Sequence, residues 1–114
     1  MKKLTRQELF QKAHELALEL YRMVHCGEKS PEFELSVEIR KAAQDTARSL
    51  MSEMEPGETL DAASGASARL ECLLLLARDM AFFPKADLGD FQKRAGEIGT
   101  AVRKMISKLR ASGS

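Results

Sequence analysis

The stretch ARLECLLLLARDMAFF, residues 68–83, places four leucines in a row at positions 73–76 of a chain in which 31% of the residues are charged. Each residue advances about 100° around an α-helix, so four consecutive leucines sweep nearly the whole circumference and cannot share one core-facing stripe. With 114 residues, the chain has room for one core of a few helices. We therefore expect a second apolar neighbour for this helix, and another copy of the chain is the leading candidate.

Apolar and small residues at steps of three and four predict four amphipathic helices. The four stripes are Leu9, Ala13, Leu16, Leu20 and Val24; Leu35, Ile39, Ala42, Thr46, Leu50 and Met54; Leu60, Ala63, Ser67, Leu70, Leu74, Ala77 and Ala81; and Leu88, Phe91, Ala95, Ile98, Val102, Met105 and Leu109. We predict helices near 6–25, 32–54, 59–82 and 88–110 in one domain of residues 1–114, with a flexible tail at 111–114. In the third helix Leu74 should face the core, while Leu73 or Leu76, or both, should cover a neighbouring subunit.

Capping and turn residues mark the helix ends. The expected N-caps are Thr5 with Glu8 three residues later, Ser30 before Pro31, and Asp87. The Pro-Gly pair in EPGE, residues 55–58, predicts a turn between the second and third helices. Short links favour antiparallel neighbours, so the predicted fold is an all-α, up-down-up-down four-helix bundle, and no window shows the alternation of a strand.

Small residues are concentrated in two of the predicted helices. The run DAASGASA covers residues 61–68, and Gly96 and Gly99 lie in the fourth helix. Glycine costs up to about 1 kcal/mol against alanine in a helix. Either two backbones approach closely at these positions, or the positions lie on a tolerant surface.

The segments that could direct the chain to a membrane or out of the cell are missing from the sequence as given. The leucine run is far shorter than a membrane span, and the first ten residues lack the apolar region of a secretory signal. Cys26 and Cys72 lie far apart, without a CxxC pair, as is usual in a reducing compartment. We expect a cytoplasmic protein that does not span or anchor to a membrane.

The charge is unevenly distributed although the net charge is only +1. In the predicted topology the start of the first helix and the end of the fourth meet at one pole. That pole would collect Lys2, Lys3, Arg6, Arg103, Lys104, Lys108 and Arg110, together with the acidic Glu53, Glu55, Glu58 and Asp61. The pole could be a solvated surface whose charges offset each other, or a surface that contacts phosphates.

Catalytic and metal-binding patterns are not found in the sequence. His14 and His25 lie eleven residues apart, too far along one helix to share a metal, and neither follows a glutamate by three residues as di-iron bundles require. Cys72 lacks a neighbouring base that would activate a nucleophile. We expect a protein that is not an enzyme and that uses no metal or cofactor.

Several stretches together resemble a known family. LFQKAHELALELY (9–21), LSVEIRKAA (35–43), ASGASARLECLLLLARDMAFF (63–83) and EIG (97–99) resemble the bacterial four-helix-bundle proteins named for intervening sequences in 23S ribosomal RNA genes. Where that family carries an Asn-Ile-Ala-Glu-Gly block, this chain has SLMSE at 49–53. In this respect the chain is similar to a related family, the accessory variability determinants of diversity-generating retroelements, which are pentamers that bind a reverse transcriptase and nucleic acid.

The resemblance implies a ring-like homo-oligomer, a pentamer in the second family, and it places Arg40 and Lys41 at paired basic positions of the second helix. Two hypotheses follow. In the first, the chain is a non-catalytic oligomeric scaffold that binds RNA or DNA, or a ribonucleoprotein enzyme such as a reverse transcriptase. Its binding residues would be Arg40, Lys41, Arg103, Lys104, Lys108 and Arg110, and its interface residues Leu73 and Leu76. In the second, it is a purely structural protein-interaction bundle without nucleic acid.

Overall fold

The computed structural model describes residues 4–51 and 56–112 and contains four helices and no strand within them. The helices are α1 (Arg6–Met23), α2 (Phe33–Met51), α3 (Pro56–Asp79) and α4 (Leu88–Ser112). This confirms the all-α class and is compatible with a four-helix bundle. Within the same ranges no helix is both long and apolar enough to cross a membrane.

The N-terminal cap predicted for α1 is confirmed, as is the one for α4. The Thr5 hydroxyl accepts from the Glu8 backbone N–H at 3.1 Å, and the Thr5 N–H donates to the Glu8 carboxylate at 3.3 Å, so both halves of a capping box are present. A carboxylate oxygen of Asp87 accepts from the N–H of Asp90 at 3.0 Å. Each cap satisfies an N–H group that has no partner inside its helix.

The cap predicted for α2 is wrong. Pro31 is not the first helical residue, because residues 31 and 32 form a turn and the helix begins at Phe33. The Ser30 hydroxyl donates to the side chain of Glu32 at 3.1 Å, and the Phe33 N–H bonds to the Ser30 carbonyl at 3.1 Å. A local side-chain bond in the turn therefore competes successfully with capping.

The C-terminal end of α3 also differs from the prediction. The helix ends at Asp79, and Ala81, predicted in the core stripe, is exposed with φ of 59°. The Phe82 N–H reaches the carbonyl of Ala77 at 2.9 Å, and the Ala81 N–H reaches that of Arg78 at 3.0 Å. These are the two hydrogen bonds of a Schellman motif, which ends a helix by placing one residue in the left-handed region.

The start of α3 and the end of α4 extend beyond their predicted bounds. Pro56 opens α3, three residues before the predicted start, and a proline is tolerated there because the first turn of a helix leaves its N–H groups unbonded. The turn predicted at EPGE is wrong for residues 56–58, which belong to α3, while Glu55 and Met54 of the α2 stripe lie outside the described residues. Residues 111 and 112 belong to α4 instead of a flexible tail, and 113–114 lie outside the described residues.

One hydrophobic core contains side chains from all four helices. The five positions predicted for α1 are all buried, as are Leu35, Ile39, Ala42, Thr46 and Leu50 of α2, and every predicted position of α3 from Leu60 to Ala77. In α4 the burial is complete up to Val102; Met105 is half-buried and Leu109 is 38% exposed. Each helix packs on two others in a cycle, with the most extensive contact between α3 and α4 and the least extensive between α1 and α4.

The small residues mark a close approach of α3 and α4. A Cβ atom added at Gly99 would lie 3.0 Å from the Oγ of Ser67, and one at Gly96 would lie 3.2 Å from the carboxylate of Glu71. Ser67 is buried, whereas Gly65 is exposed with open space around it. The close-approach interpretation therefore holds for Gly99 and Gly96, and the tolerant-surface interpretation holds for Gly65.

Candidate nucleic-acid interface

A shallow groove of about 880 Å³ runs along the outer surface of α4. Its lining includes four cationic side chains and two acidic ones: Lys93, Arg103, Lys104, Lys108, Glu71 and Glu97. All four cationic residues are exposed. Leu4, just before α1, also contributes to the lining.

The spacing of residues on α4 creates this groove. Lys93, Lys104 and Lys108 are separated by eleven and four residues, which places them on one face of the helix, and the span from 93 to 108 covers about 22 Å. Gly96, which has no side chain, and Thr100, whose side chain is small, also line the groove between the lysines. The predicted pole did not include Lys93, although its eleven-residue spacing from Lys104 was a usable signal.

Arg103 lies on the α3 side of this face. Its guanidinium donates to the Thr100 hydroxyl at 3.3 Å, and one of its terminal nitrogens lies 3.1 Å from the place of a Cβ on Gly99. The missing side chain at Gly99 therefore gives the Arg103 guanidinium room beside the helix. Of the six predicted binding residues, the structure brings Arg103, Lys104 and Lys108 together in the groove.

Arg110 lies outside the groove lining and forms an ion pair with Asp61 of α3, with 3.7 Å between nitrogen and oxygen. Both side chains are exposed, so the ion pair contributes little to the stability of the fold. The Asp61 carboxylate nevertheless offsets the positive charge of Arg110 locally. The predicted approach of Asp61 to the basic pole is confirmed by this contact. Lys2, Lys3, Glu53 and Glu55, which were assigned to the same pole, lie outside the described residues.

Arg40 and Lys41 lie on α2, which does not contact α4 in the described part of the chain. Arg40 is half-buried; it donates to the Ser36 carbonyl at 3.2 Å, and its guanidinium lies 5.5 Å from the centre of the Tyr21 ring. Lys41 is exposed. The structure therefore separates this pair from the groove, and it gives Arg40 partners within the fold.

Arg6 has a structural role that the sequence did not reveal. Its guanidinium donates to the Leu50 carbonyl at 3.1 Å, the Ser49 carbonyl at 3.2 Å and the Thr59 hydroxyl at 2.6 Å. The first two acceptors are carbonyls in the last turn of α2. Arg6 thus joins the start of α1 to the end of α2 and the start of α3.

Arg94 is the cation of α4 that faces α1 instead of the groove. It forms an ion pair with Glu19, and its other terminal nitrogen lies 3.6 Å from the Asp90 carboxylate. The hydrogen bond from Arg94 holds the pKa of Glu19 below its usual range, and the bond to Glu19 raises the pKa of Arg94. Arg94 also lines a smaller groove of about 320 Å³ between α1 and α4.

The leucine run is distributed around α3. Leu74 is fully buried, as predicted, and Leu73 is half-buried against the core. Leu75 and Leu76 are 37% and 48% exposed, and Met80 is 52% exposed. The predicted contact of Leu73 or Leu76 with a neighbouring subunit stays a prediction.

The histidines and cysteines are dispersed. His14 is exposed and stacks on Phe10 with 5.6 Å between ring centres, and His25 is exposed. Cys72 is exposed, and the thiol of Cys26 lies 3.8 Å from the Ser36 hydroxyl. Among the described residues, histidines, cysteines and carboxylates form no group of three that could hold a metal ion.

The α4 groove thus gathers four cationic side chains beside open space. No protein-family model, curated protein or solved structure matches this chain. Its function must therefore be inferred from the chemistry of its own surfaces.

Proposed function

We propose that the chain is a non-catalytic, self-associating four-helix scaffold that binds nucleic acid through the α4 groove. The observation that carries the proposal is the convergence of Lys93, Arg103, Lys104 and Lys108 beside that groove. Exposed lysine and arginine side chains neutralise phosphates and release their counterions, which is the main source of sequence-independent affinity for nucleic acid.

The binding should be electrostatic and largely independent of base sequence. No aromatic side chain lines the groove among the described residues, so base stacking has no platform there. The cations lie along one helix face about 22 Å long, a length suited to contacts with a phosphate backbone. Arg103, Lys104 and Lys108 are the main candidates, and Lys93 joins them. Arg110, Arg40 and Lys41 make smaller contributions.

We further propose the up-down-up-down topology for the bundle. Three contacts support it: Arg6 at the start of α1 bonds to the end of α2, Asp61 near the start of α3 pairs with Arg110 near the end of α4, and Glu19 late in α1 pairs with Arg94 early in α4. Each contact joins the beginning of one helix to the end of another. That is the pattern of antiparallel neighbours.

Self-association into a ring is the second part of the proposal. Leu76 of α3 and Met80 just after the helix leave about half of their surface exposed. Burying that half in a subunit interface is favourable by roughly 0.7–1.5 kcal/mol each, which is half of the value for a fully exposed side chain. The resemblance to the intervening-sequence and retroelement-accessory families makes a pentamer the proposed assembly, and a reverse transcriptase the proposed protein partner. A ring would repeat the groove in every subunit and make phosphate contacts multivalent.

A structural bundle without nucleic acid is the second candidate. The observation that favours it is the presence of Glu71 and Glu97 in the groove lining and of Asp61 beside Arg110, because these acids weaken the local positive potential. The ratio of absorbance at 260 and 280 nm separates the two functions when the protein is purified at low salt and again after a high-salt wash. Copurifying nucleic acid that the wash removes supports the scaffold. If the protein neither copurifies with nucleic acid nor binds it at low salt, the result supports the structural bundle instead.

A further inference from the structure

The cationic side chains of the α4 groove fall into two groups along the helix. Lys93 lies towards the start of α4, whereas Arg103, Lys104 and Lys108 lie in its second half, within about 7.5 Å along the helix axis. Lys93 and Lys104 are eleven residues apart, which is about 16.5 Å along the axis. We call Arg103, Lys104 and Lys108 the basic end of the groove.

A glutamate of α4 lies between these two groups. Glu97 follows Lys93 by four residues, about 6 Å along the axis, and precedes Lys104 by seven residues, about 10.5 Å. Steps of four and seven keep Glu97 on the helix face that the two lysines share. Glu97 is exposed and lines the groove. Its negative charge therefore meets whatever occupies the middle of the groove.

A second carboxylate reaches the same level from α3. A Cβ atom placed on Gly96 would lie 3.2 Å from one carboxylate oxygen of Glu71 and 3.7 Å from the other, so this carboxylate lies over Gly96. The absence of a side chain at Gly96 allows the close approach. Because Gly96 precedes Glu97 directly, the two negative charges lie at one level of the groove, and each comes from a different helix.

This order of charges does not suit a single strand of nucleic acid. Along the groove the charge changes from positive at Lys93 to negative at the two carboxylates and to positive again at the basic end. Every nucleotide carries a phosphate, so a strand laid lengthwise to reach both cationic groups passes its phosphates over the carboxylates. Like charges a few ångströms apart repel each other even in water. The carboxylates therefore disfavour one continuous backbone in the groove.

We propose that the α4 groove binds a nucleic-acid duplex, with Lys93 at the backbone of one strand and the basic end at the backbone of the other. This inference rests on the proposed nucleic-acid binding and specifies the class of ligand. Between its two backbones a duplex presents the uncharged edges of its bases. The carboxylates of Glu71 and Glu97 face that space and meet no phosphate. Helix α4 thus crosses one groove of the duplex.

The dimensions of duplex grooves agree with this arrangement. The major groove of B-DNA is about 12 Å wide and admits an α-helix, and the minor groove of an RNA duplex is wide and shallow. Lys93 and Lys104, about 16.5 Å apart along the axis, are therefore far enough apart to reach the phosphates on its two sides. Their flexible side chains cover the difference in length. Two backbones flanking uncharged base edges are common to DNA and RNA duplexes.

Removing the two carboxylate charges tests the proposal. The groove variant Glu71→Gln with Glu97→Gln keeps the size of both side chains. Fluorescence anisotropy at low salt compares a labelled DNA duplex, an RNA duplex of the same sequence, and one strand of each. The wild type should bind at least one duplex more tightly than its strand. In the groove variant the affinity for the single strand should rise roughly fivefold to tenfold and that for the duplex less than about threefold, because only the strand passes phosphates over the carboxylates.

The matched control is Glu34→Gln with Glu38→Gln, which makes the same change in net charge at two exposed positions of α2 and should leave the preference for the duplex unchanged. Circular dichroism checks that each variant keeps its helices, and Glu97→Gln alone replaces the groove variant if it does not. A preference for only one of the two duplexes supports the proposal and identifies DNA or RNA as the ligand.

Two results overturn the duplex and leave nucleic-acid binding in place. One is a wild type that binds the single strands as tightly as both duplexes, and the other is a groove variant that gains affinity equally for strand and duplex. A wild type that binds neither strands nor duplexes at low salt overturns the proposed nucleic-acid binding as well.

Discussion

Reversing two lysines of the α4 groove is the most direct test of nucleic-acid binding. The double variant Lys104→Glu and Lys108→Glu changes two exposed side chains on one face of α4 and leaves the buried core stripe untouched. We expect weaker binding to every sequence tested, because the proposed contacts are to phosphates instead of base edges. The effect should be largest at low salt, where the contribution of counterion release is greatest.

The size of the effect follows from the number of cations. Each neutralised phosphate of duplex DNA contributes about 0.9 to the slope of log affinity against log salt, so four groove cations give a slope near −3.6 per subunit and two give one near −1.8. Between 50 and 200 mM salt, the affinity of one wild-type subunit should then fall roughly 150-fold and that of the variant about 12-fold. Fluorescence anisotropy with two labelled duplexes of unrelated sequence measures both slopes.

The matched control is a double variant with the same change in charge outside the groove, Lys29→Glu with Lys85→Glu. Lys29 is in the link between α1 and α2, Lys85 is in the link between α3 and α4, and both are exposed. Reversing them also takes the net charge from +1 to −3, since each lysine-to-glutamate change removes two charges. This control should keep most of the wild-type slope. If binding is detectable and the groove variant keeps the wild-type affinity and slope, or if the control loses as much, the groove is not the binding surface.

Three further predictions concern the stability of the fold, measured as the free energy of unfolding in urea. Thr5→Ala should lower it by about 1 kcal/mol, because the α1 capping box is lost; a change within error would contradict the capping role. Gly96→Ala should raise the free energy of unfolding by up to about 1 kcal/mol, because the atom nearest to the new methyl group is in the flexible carboxylate of Glu71. Gly99→Ala should raise it less, or lower it, because its new methyl group would press on the buried hydroxyl of Ser67. If Gly99→Ala stabilised the protein more than Gly96→Ala, the close approach at Gly99 would be refuted. Glu19 has a lowered pKa because of its bond to Arg94, so its stabilising contribution is present above the ordinary carboxyl pKa and is lost as the pH falls through the lower folded value. As the pH falls, the free energy of unfolding should therefore decrease more in the wild type than in Glu19→Gln. The difference should be less than about 1 kcal/mol in total, because the ion pair is partly exposed. If the two proteins lost stability equally with pH, the contribution of the Glu19–Arg94 pair would be excluded.

The candidate site was only partly predictable from the sequence. Clustering of basic residues near the C-terminus indicated Arg103, Lys104 and Lys108, and the structure does place them in one groove. The sequence did not show that Arg110 and Arg40 lie outside the groove, because it does not reveal that Arg110 pairs with Asp61 or that Arg40 lies over the Tyr21 ring. Those contacts depend on which helix flanks meet, and this is a property of the packed chain.

The periodicity of apolar residues was enough to predict four helices, the side of each helix that faces the core, and the burial of Leu74. A helix period of 3.6 residues makes the buried stripe visible in a single segment, without knowledge of its partners. Tertiary structure alone decided the rest. It placed the Arg6 guanidinium at the end of α2 and brought Gly99 against Ser67. The end of α3 at Asp79 is set by local backbone bonds that leave Ala81 in the left-handed region, and the side-chain pattern did not indicate them. The contacts of Arg6 and Gly99 join residues distant in sequence, which the pattern of side chains along one helix does not encode.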